Sequence, residues 1–121
     1  MTEFTNAKAV YWIVALKIHP GAEAAFQAAR EKLVASTKEE AGALNYEWSV
    51  GEDGLCHIYE RYADAAAAKL HLARSRELVA KMVESAERVN FTLYGAPDEE
   101  LRQMLASRGA LVMKAAGGFG R

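Results

Sequence analysis

The chain has 121 residues, with 51% hydrophobic and 26% charged side chains. That is material for one domain and enough apolar surface for a core, so neither extended disorder nor a disulfide or metal staple is implied. Fifteen basic against 16 acidic residues leave a net charge of -1, which lacks the basic footprint of a nucleic-acid binder.

Other absences narrow the class further. Cys56 is the only cysteine, which rules out an intramolecular disulfide and suits a reducing cytoplasm. The start, residues 1–6, has no basic and then apolar stretch of the kind a signal peptide carries. No apolar run reaches the length of a membrane span. About a fifth of the chain is alanine, which favours helices packed closely on a sheet.

The first element is the run from Ala9 to Ile18, β-branched, aromatic and apolar at nearly every position, as in a strand covered on both faces. Pro20-Gly21 ends it. From Ala22 to Lys38, Phe26, Ala29, Leu33, Val34 and Thr37 recur at helical spacing. Two strands follow, Leu44 to Val50 and Leu55 to Tyr62, joined by the hairpin turn Gly51-Glu52-Asp53-Gly54. Alternation places Leu44, Tyr46, Trp48 and Val50 on one face and Asn45, Glu47 and Ser49 on the other. In the next strand Cys56, Ile58, Glu60 and Tyr62 alternate with Leu55, His57, Tyr59 and Arg61.

Asp64 is a good N-cap for an alanine-rich helix to about Ala73, and a second helical stretch is expected from Arg76 to Ala86, with a break near Arg74-Ser75. A strand from Val89 to Tyr94 has Val89, Phe91 and Leu93 on one face and ends at Gly95. Pro97-Asp98-Glu99-Glu100 opens a last helix to about Ser107, stopped by Gly109. Ala110 to Lys114 reads as a short final strand, followed by a glycine-rich tail.

The order β-α-β-β-α-β is the split βαβ of an α+β, ferredoxin-like fold: a four-stranded antiparallel sheet with its helices on one face. Residues 1–95 make that domain and 96–121 an added helix and tail. The first strand is apolar both on Val10, Trp12, Val14, Leu16 and Ile18 and on Tyr11, Ile13 and Ala15, so the sheet's second face needs a cover. A second copy packed sheet to sheet supplies one and predicts a homodimer. The alternative is that the C-terminal helix covers that face within one chain.

Three segments resemble the antibiotic biosynthesis monooxygenase domain family. They are Tyr11 to Gly21, Glu40-Ala41-Gly42-Ala43-Leu44-Asn45-Tyr46-Glu47, and Glu60-Arg61-Tyr62-Ala63-Asp64 with the alanine-rich helix ending at His71. The resemblance spans about residues 8 to 95. It implies a dimeric α+β barrel and, for some members, cofactor-independent oxygenation of aromatic polyketides or quinols. Tyr62 stands where the family commonly has tryptophan, and no histidine lies between Glu77 and Met82, where the haem-degrading branch carries one. Haem ligation is therefore not expected, and no cofactor is.

His71 is the candidate catalytic base, a reading that the resemblance strengthens, and Glu60 on the neighbouring strand is its candidate orienting carboxylate. Histidine on an inward helical stripe, with Ala67 and Ala68 leaving room beside it, suits proton transfer to or from a phenol near neutral pH. The plainer alternatives are a structural histidine and a structural ion pair for Glu60. Asn45, Tyr46, Trp48 and Tyr62 form the candidate substrate-binding set: an aromatic wall, with Asn45 or Tyr46 polarising a carbonyl. Packing alone would also explain Tyr46 and Trp48. His19, His57 and His71 show no metal-ligand spacing. His57 reads as an interface or edge residue, His19 as solvated and Cys56 as a small buried hydrophobe. Phe119 and Arg121 are expected to dock on the partner or to lie in a free tail.

The expected chemistry takes its electrons from a small aromatic substrate, whose deprotonated form reduces dioxygen while the protein binds it, removes its proton and excludes water. The competing expectation is a non-catalytic, small-ligand-binding or stress-related dimer of the same fold.

Overall fold

The computed structural model describes residues 7–120. The signal-peptide expectation for residues 1–6 and the docking expectation for Arg121 lie outside them. The elements are β1 (Val10–Ile18), α1 (Glu23–Lys38), β2 (Ala43–Val50), β3 (Leu55–Tyr62), α2 (Ala65–Met82), β4 (Ala86–Gly95), α3 (Glu99–Ser107) and β5 (Leu111–Val112). The sheet order is β2-β3-β1-β4-β5. The first four strands pair antiparallel, and β5 adds a parallel fifth at the β4 edge. The ferredoxin-like α+β fold expected from the sequence is thus present. No helix among the described residues is long and apolar enough to cross a membrane.

Local chemistry sets the element ends. The Gly51–Gly54 turn is closed by Gly54 N–H donating to the Gly51 carbonyl and by the Asp53 carboxylate accepting from Leu55 N–H at 3.0 Å. Asp64 caps α2 by accepting from Ala67 N–H at 2.8 Å, and Asp98 caps α3 by accepting from Leu101 N–H at 2.9 Å. The expected break near Arg74-Ser75 is absent: α2 runs unbroken to Met82, and Glu84 and Ser85 belong to a turn rather than a helix. Serine lowers helix propensity only slightly, and here Ser75 is buried against the sheet, where packing decides. The Ser85 hydroxyl donates to the Met82 carbonyl at 2.7 Å, satisfying one orphan acceptor at the helix end.

Two strand assignments shift by one residue. Leu44, expected beside Tyr46 and Trp48, is left out of the β2–β3 ladder by a bulge and is exposed, while Ala43 takes the helix-facing place opposite Tyr62. Val89, expected beside Phe91, is likewise bulged and exposed in the β1–β4 ladder, so Arg88 pairs with Leu16 and shares its helix-facing side.

The core lies between the sheet and the helices in two adjoining clusters. One centres on Leu16, Phe26, Leu33, Ile58 and Met82, beneath α1 and the end of α2. The other joins Val10, Trp12, Tyr62, Ala68 and Leu93 to Leu101 and Leu105 of α3. The third helix therefore packs on the same face as the first two, not on the open face of the sheet. That open face carries Tyr11 stacked on Tyr94 at 5.4 Å and edge-on to Tyr59 at 6.4 Å. The chain after β5 passes beside it, leaving a groove of about 710 Å³ among Tyr11, Asn45, Tyr59, Arg61 and residues 117–120.

One contact fixes the height of α2 above the connection from α1 to β2. A methyl at Gly42 would lie 2.5 Å from the Ala67 side chain, so the two backbones meet where only glycine fits. The adjacent Ala63 N–H donates to the Gly42 carbonyl at 2.9 Å. Leu33 is fully buried under α1. Leu33→Ala is expected to cost about 2–5 kcal/mol, read as a lower midpoint in urea unfolding; a change below about 1 kcal/mol would show that this cluster is loosely packed.

Candidate functional site

The site begins with a helical stripe. Ala68, His71, Ser75 and Met82 of α2 are buried against the sheet, and His71 is only 2% exposed. Opposite it, β3 alternation points Glu60 and Tyr62 inward, and β2 contributes Tyr46. Glu40 arrives from the turn after α1 and is also buried.

The histidine lies between two carboxylates. Its Nδ1 is 3.2 Å from Glu40 Oε2 and its Nε2 is 3.4 Å from Glu60 Oε1. The Tyr62 hydroxyl donates to the same Glu60 oxygen at 2.6 Å. The imidazole stands between the Tyr46 ring, 5.4 Å away, and the Tyr62 ring, 5.0 Å away. Arg74 closes the outer side: its Nε is 3.9 Å from Glu40 Oε2, and its Nη2 donates to Glu39 and to the Ser36 carbonyl. Glu60 therefore has a histidine and a tyrosine as neighbours, not the arginine or lysine of a simple structural ion pair.

Burial dominates the electrostatics. Desolvation pushes the Glu60 carboxyl above the usual carboxylate range, against the opposing pull of His71, the Tyr62 hydrogen bond and the Trp12 indole, with Glu40 adding to the rise. Tyr46 and Tyr62 are driven up by burial and then by the Glu60 charge, so both stay neutral hydroxyl donors. The Thr37 and Trp48 side chains act on the Tyr46 hydroxyl against that rise, while Glu40 Oε1 is buried with no hydrogen-bond partner among the described residues.

A cavity of about 150 Å³ opens beside His71 and Glu60. Its floor is Trp12, Val14, Leu16, Ile58 and Phe91 of the sheet; Leu72, Ser75, Val79 and Met82 of α2 form the roof. Tyr46 lines it at the inner end, and Arg88, Leu105 and Arg108 at the far end.

Of the residues singled out from sequence, His71, Glu60, Tyr46 and Tyr62 come together. Trp48 packs edge-on to Phe26 and Tyr46 at 5.8 Å and does not line the cavity. Asn45 points to the open face, where it accepts from Arg61 Nε at 2.8 Å and donates to Glu47 at 2.7 Å. His57 and His19 are exposed. Cys56 is fully buried, and burial pushes its thiol up against the opposing effect of Arg30, as for an inert hydrophobe. No His, Cys, Asp or Glu cluster among the described residues has the geometry to hold a metal ion.

Sequence reasoning did not single out Glu40, Arg74 or Arg88. Glu40 lies within the Glu40–Glu47 segment, but a carboxylate in a turn has no periodic signal of burial.

This arrangement, a ferredoxin-like sheet with an acid–base cluster beside an apolar cavity under its helices, defines a class of small α+β proteins. The chain belongs to the antibiotic biosynthesis monooxygenase family, whose pattern matches residues 9–86. Among solved structures it is similar to MupZ from Pseudomonas fluorescens, with 25% identity, a TM-score of 0.84 and coverage of 94% of this chain and 95% of that one. It is also similar in fold to SnoaB, a cofactor-independent oxygenase from Streptomyces nogalater, at 17% identity and a TM-score of 0.65, over 76% of this chain and 96% of that one. Rv0793 from Mycobacterium tuberculosis is a further fold neighbour at 24% identity and a TM-score of 0.66, over 75% of this chain and 97% of that one. Among curated proteins, no sequence matches this one.

The raised Glu60 carboxyl has a consequence for stability. A group that holds its proton more tightly when folded gives stability that is complete below its unfolded pKa and lost as pH rises through its folded one. The window therefore lies above the ordinary 4.5 of a glutamate. Asp98 and Glu99, lowered by Lys69 and Arg102 respectively, act only below the ordinary carboxylate values. Glu60→Gln is expected to flatten the decline across that window and to raise the melting temperature at pH 8, each 1 kcal/mol corresponding to roughly 3–6 °C for a chain of this size. Thermal melts across pH check this; an unchanged profile would mean that Glu60 is not the group being strained.

Proposed function

We propose that the protein is a cofactor-independent monooxygenase acting on a phenol, quinol or polyketide-like aromatic, with His71 as the base. The observation that carries this reading is the imidazole held between two buried carboxylates at the wall of an apolar cavity. Membership of the family and the fold shared with SnoaB support it.

In this mechanism Glu40 accepts from His71 Nδ1–H and so fixes the tautomer, leaving the Nε2 lone pair beside Glu60 and the cavity. The substrate hydroxyl gives its proton to Nε2, and Glu60 stabilises the imidazolium. Tyr62, kept neutral, holds Glu60 in place. The substrate anion then supplies the electrons that reduce dioxygen: one oxygen atom becomes a ring carbonyl, replacing a ring hydrogen, and the other leaves as water with that hydrogen and the proton held on Nε2, in a space from which bulk water is excluded. An apolar cavity of roughly this size holds one benzene-sized ring, so the reacting ring lies inside and larger substrates extend through the mouth. The ring binds between the Phe91 and Trp12 side and the roof of α2, with Tyr46 at its inner edge.

Oxygen uptake with a panel of reduced quinones and phenols tests the reading. His71→Ala is expected to lower the rate by about 10²- to 10⁴-fold, with the helical circular dichroism unchanged. Full activity in that variant would remove His71 as the base. Ligand binding by the wild type with no oxygen uptake across the panel would favour a non-catalytic binding protein.

We also propose that the working unit is a homodimer formed through the open face of the sheet. Tyr11, Ile13, Tyr59 and Tyr94 present an aromatic and aliphatic patch there, with Phe119 exposed beside it to dock on the partner. Sedimentation velocity at micromolar concentration is expected to show a dimer, converted to monomer by Ile13→Glu. A wild-type monomer would overturn this.

A further inference from the structure

The far end of the cavity is chemically unlike the rest of it. Its inner end holds His71 and Glu60 and its walls are largely apolar, but two arginines, Arg88 and Arg108, line the other end. Neither has a carboxylate partner among the described residues: Glu84 is taken by Lys81 at 3.2 Å, and Glu87 pairs across the sheet with Lys17, out of phase with Arg88.

Arg88 reaches this place by construction. Regular alternation back from the inward Phe91 would turn position 88 to the open face. The bulge at Val89 reverses that and sets Arg88 opposite Leu16. The Asn90 side chain accepts from Phe91 N–H at 2.9 Å and so holds the bulged backbone. The guanidinium then lies over the Phe91 ring, 5.0 Å from its centroid, and one Nη donates to the Arg108 carbonyl at the end of α3. Gly109 follows with a φ of +93°, and a methyl there would stand 3.3 Å from the Arg88 guanidinium. The end of α3 is thus shaped around Arg88 and brings Arg108 beside it. Both arginines lie beyond residues 9–86, the stretch that matches the family.

We propose that Arg88 and Arg108 form an anion subsite at the cavity mouth, so that the substrate is an aromatic ring carrying a carboxylate or phosphate group. The subsite rests on the reading of the cavity as the substrate site. The ring enters toward His71, and the anionic group stays at the mouth, where a planar guanidinium pairs with it through two parallel hydrogen bonds. The C-terminal extension thereby gains a role in recognition, because α3 supplies the second cation and anchors the first.

Calorimetric titration of the full chain with matched ligands tests the proposal without requiring turnover. Para-hydroxyphenylpropionate is expected to bind about tenfold or more tightly than the uncharged para-propylphenol, and the difference is expected to shrink as salt is raised. Para-hydroxybenzylphosphonate distinguishes the two anions: tighter binding than the carboxylate marks a phosphate-bearing substrate, weaker binding a carboxylate one. Arg88→Gln should abolish the preference and Arg88→Lys should restore part of it. Arg108→Gln, which leaves the carbonyl that holds Arg88 intact, should reduce the preference without disturbing the fold. Equal binding of charged and uncharged ligands, no binding of any of them, or a preference unchanged in both glutamine variants would overturn the subsite. A preference that survives while His71→Ala keeps full activity would refute the base and leave the subsite standing; His71-dependent turnover without any charge preference would do the reverse.

Discussion

A histidine flanked by two carboxylates, all buried in an otherwise apolar layer, is the constraint around which the rest of this molecule is arranged. Burying ionisable groups is costly unless each has partners. The fold supplies them from four elements: Glu40 from the turn after α1, Glu60 and Tyr62 from β3, Tyr46 from β2 and the imidazole itself from α2. None of these groups is close to all the others in sequence, so the cluster exists only when the helices are seated on the sheet. Glu40 keeps one buried oxygen without a hydrogen-bond partner among the described residues, so the cluster is not fully satisfied by the fold.

The strands and helices were largely legible because their causes are local. The β-branched run of β1, the Gly51–Gly54 hairpin, the Asp64 and Asp98 caps and the Gly109 stop each carry their own signal, and all four antiparallel strands fall in the expected order. The inward position of His71 also follows from helical spacing. Two of the misplacements share one physical origin. Period-two counting assumes an unbroken ladder, and single bulges at Leu44 and Val89 shift its phase. The first hid Ala43 from the core, and the second hid Arg88 from the cavity. The expected break at Ser75 failed for a different reason: propensity is weak, and the apolar face of one long helix outweighs it.

The contrast between the sheet's two faces follows from the same layering. One face is filled by three helices and encloses the acid–base cluster. The other carries tyrosines and Ile13 beside the terminal segment, so the proposed chemistry and the proposed association fall on opposite sides of a single sheet. Asn45 illustrates the division: one residue from Tyr46 in sequence, it lies across the sheet from His71 and belongs to the Arg61 network instead.

The meeting of Gly42 with Ala67 carries a mechanical consequence. It is a pivot at the start of α2, pinned by the Asp64 cap, while Val79 and Met82 at the far end of that helix roof the cavity. A helix of 18 residues is a long arm. The height at which α2 is seated there is carried along the helix to the roof, so the same close approach that seats His71 also sets the bore of the cavity. The missing side chain at position 42 is thus also a measure of how much room lies under Val79 and Met82.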